Sequence, residues 1–495
     1  MSMAGHTGLA KQLLAILYKD QDTLQRIDDY LHGHHDDPYM PDNCDDEYKL
    51  LAKRCVSNWM PLLVGTPAQA MYVDSFRRGN QSERPPSGET LPEWRHWQES
   101  RLDARQIAVH RGALTYGHSF TLTEKLRNGK IRTKGLSAMR TAAVFEDPAN
   151  DHVPYAALTV TRFPQGPDDR GKARMFDGSH EYEVTFKSLG DGDGITVKRI
   201  KRHGAKECPV TRFAAAVDLE GRTVGVIAPM IELQNRINQS VFDLLVAQTY
   251  SSTKVRTVTG MAPPLQRYTK DGWYFPDGRP AKEGDQGATF QEAGDVVLDE
   301  NGMPKPLPIN ANAARFLFAE DAEAKWGTLD ETPLAGFIES IEMSIRHLSA
   351  LSQTPPHHIL GAIANLSAEA LLAAETALAR KVEEFRKSFG ESWERVFQLA
   401  AEMEGNIASA EDYSGEVLWR DMEQRSLAQA ADALGKLREQ LMIPARGLWA
   451  RVPGATKNEL DEWERIARED DLERQFAEAL HRAAPDRGDR EKVPA

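Results

Sequence analysis

The tightest constraint on the fold lies in one stretch of the chain, from Glu331 to about Ala400. Leu334, Phe337, Ile338, Ile341, Ile345, Leu348 and Leu351 recur at steps of three and four, so they share one stripe of a 3.6-residue helix. Thr354-Pro355-Pro356-His357-His358 ends that helix, because proline has no N–H to donate and pushes the residue before it out of the helical region. The stripe resumes from Leu366 through Leu371, Leu378, Val382, Phe385, Phe389, Trp393, Val396 and Ala400, a run of roughly 35 residues or about 50 Å. Ser367, just ahead of Glu369 and Ala370, is placed to cap its start. The stretch predicts two helices joined by a tight, proline-stiffened loop.

Composition sets the class around this frame. The chain has 495 residues, 41% hydrophobic and 27% charged, enough to bury a core and to divide into two to four units. No window approaches 18 uncharged apolar residues and Met1 to Leu9 holds no apolar signal core, so neither membrane insertion nor export is expected. Cys44, Cys55 and Cys208 are far apart, odd in number and form no C-x-x-C pair, which argues against a disulfide framework or a zinc site and points to a reducing compartment. A net charge of -13 argues against a protein whose main task is gripping phosphates.

In chain order, Leu13, Leu14, Leu17, Leu24, Ile27, Tyr30 and Leu31 predict a helix that stops at His32-Gly33-His34-His35-Asp36-Asp37-Pro38. Those histidines and aspartates read as a solvated turn rather than a metal cluster, since no second group at ligand spacing follows. A helical segment over Tyr48, Leu51, Cys55 and Trp59 and another over Arg95 to Ile107 precede a change of period. Leu114 to Tyr116, Phe120 to Leu122, Ala143 to Phe145, Ala157 to Val160, Tyr182 to Phe186 and Ile195 to Val197 are short, β-branched or aromatic, and separated by turn residues, which predicts a meandering sheet. Asp191-Gly192-Asp193-Gly194 between two of these runs is a hairpin turn and not a calcium loop. Lys198, Arg199, Lys201 and Arg202 suit a solvated strand edge that discourages edge pairing, with contact to DNA or a partner as the alternative.

Pro229 opens a helix with Met230, Leu233, Ile237, Val241 and Leu244 on one face and Gln234, Asn235, Asn238, Gln239 and Asp243 on the other. Residues 251–330 lose helical period and are rich in Pro and Gly, as in Pro263-Pro264 and Pro304 to Pro308, which suits a small β-rich insertion between two helices. Those flanking helices are able to pack antiparallel and hold the insertion at one end. Beyond Ala400, an extended link at Gly415 to Trp419 leads to helices around Ser426 to Leu441 and Lys457 to Arg482, an acidic helical region, and then to a charged tail from Pro485. Phosphate-loop, dinucleotide, H-E-x-x-H and G-x-S-x-G motifs are all missing, so no catalytic residue, cofactor or metal ligand is assigned and the chain is read as a non-enzyme.

The order of these elements resembles the portal proteins of tailed bacteriophages, the family typified by the portal of phage SPP1. The residues that carry the resemblance are Tyr30 to His34; Asn58-Trp59 to Ser75; Pro209 to Phe213 leading to Ile231 to Asn238; Thr354-Pro355-Pro356 with Gly361 and Asn365 to Leu371; and Trp419 followed by Ala428 to Leu437, Ile443-Pro444 and Leu448. It implies an α+β, portal-like fold, with an N-terminal helix at 1–34, a wing at 35–226 and a first stem helix at 227–250. A clip at 251–330, a second stem helix at 331–351 and a tunnel loop at 352–366 follow, then a long wing helix at 367–405 and a crown with its tail at 406–495.

The same resemblance implies a homo-oligomeric ring, normally twelvefold, at one capsid vertex of the virion, assembled in the host cytoplasm. Double-stranded DNA would pass through it, and the major capsid protein, scaffold, large terminase and head-tail adaptor would be its partners. Thr354, Pro355, Pro356, His357, His358 and Arg346 would face the channel, while Leu334, Phe337, Ile341, Ile345, Ile237 and Val241 would pack the stem. An acidic ring suits a channel along which DNA slides without being held. Another head or neck ring protein, and an enzyme with an unrecognised site, are the two competing classes. Native mass of the assembled ring separates the first, and measurable turnover the second.

Overall fold

The computed structural model describes residues 3–41, 44, 46–78, 91–166, 168–190, 192, 194–251, 256–259, 265–276, 278–298, 302–305, 316–319, 326–328, 333–361, 368–420, 427–455, 459–460 and 462–471. The helices are α1 (Met3–His32), α2 (Asp46–Arg54), α3 (Met60–Gln69), α4 (Pro92–Glu99), α5 (Leu102–Tyr116), α6 (Ile231–Ser251), α7 (Ala335–Ser352), α8 (Pro356–Leu360), α9 (Ala368–Glu404), α10 (Ile407–Ala410), α11 (Leu427–Leu441) and α12 (Ala445–Leu448). The strands are β1 (Val73–Arg77), β2 (His118–Lys125), β3 (Ile131–Leu136), β4 (Thr141–Val144), β5 (Ala156–Arg162), β6 (Gly171–Phe176), β7 (His180–Phe186), β8 (Thr196–Arg202) and β9 (Val210–Ala214). Further along come β10 (Arg256–Thr259), β11 (Gly272–Tyr274), β12 (Pro280–Ala281), β13 (Thr289–Gln291), β14 (Phe316–Ala319), β15 (Trp326–Thr328) and β16 (Glu416–Trp419). The class is α+β, with sheets that are antiparallel apart from one parallel pairing.

The chain divides into two compact units. One holds residues 1–35, 58–234 and 345–495, and the other holds 36–57 and 235–344. In the first unit a five-stranded sheet runs β4-β5-β6-β7-β8, antiparallel throughout. Tyr182, Val184 and Phe186 alternate along β7 toward one buried face, as the two-residue period of a strand requires. The stripe Leu9, Leu13, Leu14 and Leu17 of α1 covers that face, packing with Leu158, Val160 and Met175. The basic run Lys198 to Arg202 forms most of β8, which is an edge of this sheet with Val197 as its one buried position.

A second sheet, β3-β2-β9, lies beside α9. Its edge strand β9 is covered in a specific way. Ser388 and Ser392, one turn apart on α9, donate from Oγ to the carbonyls of Ala214 (2.8 Å) and Arg212 (2.9 Å). Residues two apart on an edge strand point their carbonyls the same way, so two serines at helical spacing satisfy both. Further along α9, Trp393 sits at the centre of an aromatic core. Its ring lies 4.9 Å from Trp97 and 4.6 Å from Phe213, in edge-on geometry, and it is fully buried. Its indole N–H donates to His110 Nε2 at 2.9 Å, so the proton of His110 is on Nδ1, which donates to the carbonyl of Met71 at 3.2 Å.

The second unit collects α2, the part of α6 from Asn235, the strands β10 to β15 and the part of α7 up to Ser344. Val241, Phe242, Leu245 and Val246 of α6 pack on Leu51, Ala52 and Cys55 of the α2 segment, with Met40 and Tyr48. The insertion is β-rich: β10 pairs parallel with β14 and antiparallel with β15, and β11 pairs with β12 and β13. The polar face read on α6 is used structurally. In this unit Gln239 accepts from the backbone N–H of Tyr39 (2.7 Å) and Asn238 from that of Ser57 (3.3 Å); in the first unit Gln234 accepts from Trp59 (3.2 Å).

Local departures from the sequence reading have clear causes. Leu114 to Tyr116, read as a strand, form the last turn of α5, because the β-like run is short and continues a helix whose face Leu102, Gln106, Val109, His110 and Ala113 is buried, and which Gly117 stops in the left-handed region. The single helix expected over Arg95 to Ile107 is two, α4 and α5, broken at Arg101 with φ 55°. Segment 36–57 folds with the second unit. The cap at Ser367, the paired prolines Pro263-Pro264, Asp191, Asp193 and the tail from Pro485 lie outside the described residues.

Candidate functional site at a helix junction

The proline-stiffened junction lies in the first unit, where α7 ends. Gln353 adopts φ 53°, which turns the chain out of the helix. The backbone N–H of Thr354 then reaches back to the carbonyl of Ser349 at 3.1 Å, and Ser349 Oγ donates to the carbonyl of Thr354 at 2.6 Å. Thr354 and Ser349 are buried, so these bonds satisfy groups that water does not reach. Lys381 of α9 donates to the carbonyl of Ser352 at 2.8 Å, placing a cation at the C-terminal end of α7 where the helix dipole favours it. Burial lowers the Lys381 pKa, with Glu384 opposing.

Pro355 precedes and Pro356 opens a helical turn that sequence reasoning left as loop, α8. The signal was present: proline at the first helical position needs no N–H partner, and Gly361 at φ 65° is a left-handed stop. His357 and His358 both point Nε2 at one oxygen of Glu375 on α9, each at 2.8 Å. The rings stand edge to face with centroids 4.5 Å apart. Glu375 was not singled out from the sequence, because its partners are 17 and 18 residues away across the break. Residues 362–366 of the expected tunnel loop lie outside the described residues.

The element order is that of a helix, a β-rich insertion, a second helix, a stiff junction and a long helix. The family described as "Phage portal protein, SPP1 Gp6-like" matches this chain over residues 10–473. The chain belongs to that portal protein family. Among curated proteins similar to it are the proteins named "Portal protein" of Mycobacterium phage D29 and Mycobacterium phage L5, each 35% identical over 130 residues. That match covers 26% of this chain and 27% of each relative.

In this portal-family chain the two groups of residues singled out by sequence are placed as follows. Thr354 and Pro355 are buried, Pro356 is exposed, His357 and His358 are half-buried against Glu375, and Arg346 is exposed on α7. Of the stem positions, Ile345 and Ile237 are buried, while Leu334, Phe337 and Ile341 are half-buried. Val241 joins the α2 cluster. Three apolar side chains of α7 stay exposed: Ile338 at 48%, Met343 at 54% and Leu351 at 66%. Among the described residues no helix is long and apolar enough to cross a membrane.

Proposed function

We propose that this chain forms a closed ring of about twelve copies at one vertex of a phage capsid, with a central channel for packaging and ejecting double-stranded DNA. The observation that carries the reading is the family match over residues 10–473. The apolar side chains left open on α7 support it. Ile338, Met343 and Leu351 are apolar side chains exposed at separate points around α7, and neighbouring copies in a closed ring would cover part of that surface without leaving a free interface. The net charge of -13 supports a channel that does not hold phosphates, with scattered cations such as Arg346 giving weak contacts that depend on salt rather than on sequence. The helices flanking residues 251–330 form the stem in this reading, and the junction at α8 is the constriction on the DNA. The major capsid protein, scaffold, large terminase and head-tail adaptor are the partners.

Native mass spectrometry with negative-stain imaging of the purified protein tests this. A closed ring is expected, and a monomer at micromolar concentration and physiological salt overturns the reading. Tight duplex binding by the free protein that survives 0.3 M salt would point instead to a regulator.

A further inference from the structure

We infer that His357, His358 and Glu375 form a binding site for a divalent transition-metal ion of the zinc class. Nε2 of both imidazoles and a carboxylate oxygen of Glu375 lie within 4.8 Å of one another. Imidazole nitrogen with carboxylate oxygen is a donor set suited to zinc, and three protein ligands leave a fourth position for water. With metal–ligand bonds of about 2.0–2.1 Å, a tetrahedral ion sets its ligand atoms about 3.3 Å apart. The two nitrogens stand 2.8 Å from the Glu375 oxygen, so each N···O distance would open by about half an ångström, while the nitrogens, within 4.8 Å of each other, would come to about the same 3.3 Å.

Two features of the fold favour a built site over a chance meeting of surface groups. Neighbouring helical positions diverge by about 100°, so two consecutive side chains converge on one atom only when their rotamers are directed there. The turn that carries them is fixed at both ends, by Pro355-Pro356 and by Gly361 in its left-handed conformation. Burial is graded across the site. The His357 side chain is 9% exposed, His358 31% and Glu375 37%, which gives one closed wall and one side open to an entering ion. Coordination through Nε2 places the His357 proton on the buried Nδ1, which has no hydrogen-bond partner among the described residues, so that ring lacks the second-shell acceptor usual for a metal-ligating histidine. Lys381, the nearby cation on α9, is directed to the carbonyl of Ser352.

An ion here would join α8 to α9 by coordinate bonds across a span of 18 residues. This inference does not rest on the portal reading, and its test is independent of ring formation. Full-length protein is stripped with chelator, then titrated with cobalt(II) while its visible absorption is followed, and zinc(II) is added in competition. Expected are one equivalent of cobalt per chain with the spectrum of a four-coordinate site, and displacement by zinc. Glu375→Gln and the double variant His357→Gln/His358→Gln should each weaken binding by more than about 100-fold, since even second-shell losses cost 10–100-fold. A control, His34→Gln/His35→Gln, should bind as wild type. Wild-type uptake weaker than about 100 μM, or uptake unchanged in Glu375→Gln, overturns the site whatever the variants do to folding.

Discussion

Lowering the pH from 7 to 5 should destabilise the first unit through histidines that it buries in neutral form. His110 is fully buried and burial lowers its pKa to about 3, with its bond to the Met71 carbonyl opposing; burial lowers His96 to about 4. In the unfolded chain both return to about 6.5, so below that value the unfolded state binds protons that the folded state refuses. Stability is therefore retained above pH 6.5 and lost as the pH falls toward the folded values. Between pH 7 and 5 each group costs about 1.9 kcal/mol, or about 4 kcal/mol for the pair, against a typical total of about 5–15 kcal/mol. His118, His180 and His203 are shifted in the same direction, mainly by burial. Glu394 and Glu404, raised by burial, act in the opposite direction and reduce the net slope. Carboxylates held low add little in this window because their unfolded values lie near 4. Glu124 is such a group: burial pushes it up, but the guanidinium of Arg174 and then Lys134 prevail and hold it near 2. The assay is urea unfolding followed by tryptophan fluorescence at pH 7, 6 and 5, on wild type and His96→Gln. The variant should lose about 1.9 kcal/mol less than wild type over the range. Equal losses in the two proteins would refute the assignment of the slope to buried neutral histidine.

Gly117 ends α5 at φ +90°, and a Cβ there would stand 2.8 Å from the carbonyl oxygen of Thr223. Gly117→Ala should lower stability by at least about 2 kcal/mol in a thermal melt, and an unchanged midpoint would contradict the close approach. Deleting residues 356–364 should leave rings largely intact, because the apolar positions of α7 lie before the deletion, yet impair DNA packaging. Ring yield and packaged DNA are measured on the same variant. Loss of both together would make the junction an assembly element, and normal packaging would remove it from the channel.

Much of the scaffold was readable because periodicity reports local geometry. The stripe from Leu378 to Ala400 runs along the buried face of α9, and Pro355-Pro356 marked the break. What escaped were arrangements made by contacts between distant segments. Nothing in the spacing of Leu51 and Cys55 says that they pack under Phe242, and nothing near Glu375 announces two histidines 17 and 18 residues earlier. The polar face of α6 was legible as polar, but its use as a set of acceptors for backbone N–H groups at Tyr39, Ser57 and Trp59 depends on chain paths that no local pattern encodes. The α5 terminus was misread for the opposite reason: Leu114-Thr115-Tyr116 has strand-like residues, and tertiary burial decided in favour of helix.

The bonds from α8 to Glu375 give a mechanical load applied to the junction a second route, beside the backbone to α7. A pull on His357 or His358 reaches α7 through the backbone and also α9 through Glu375, and α9 is a continuous helix from there to Trp393, about 27 Å further on by its rise. A helix under axial load behaves as a stiff rod, and this rod is embedded at its far end in the aromatic core of Trp97, His110 and Phe213. Load that passes through Glu375 is thus carried to a buried aromatic cluster, with Ser388 and Ser392 pinning the rod sideways to the edge of a sheet.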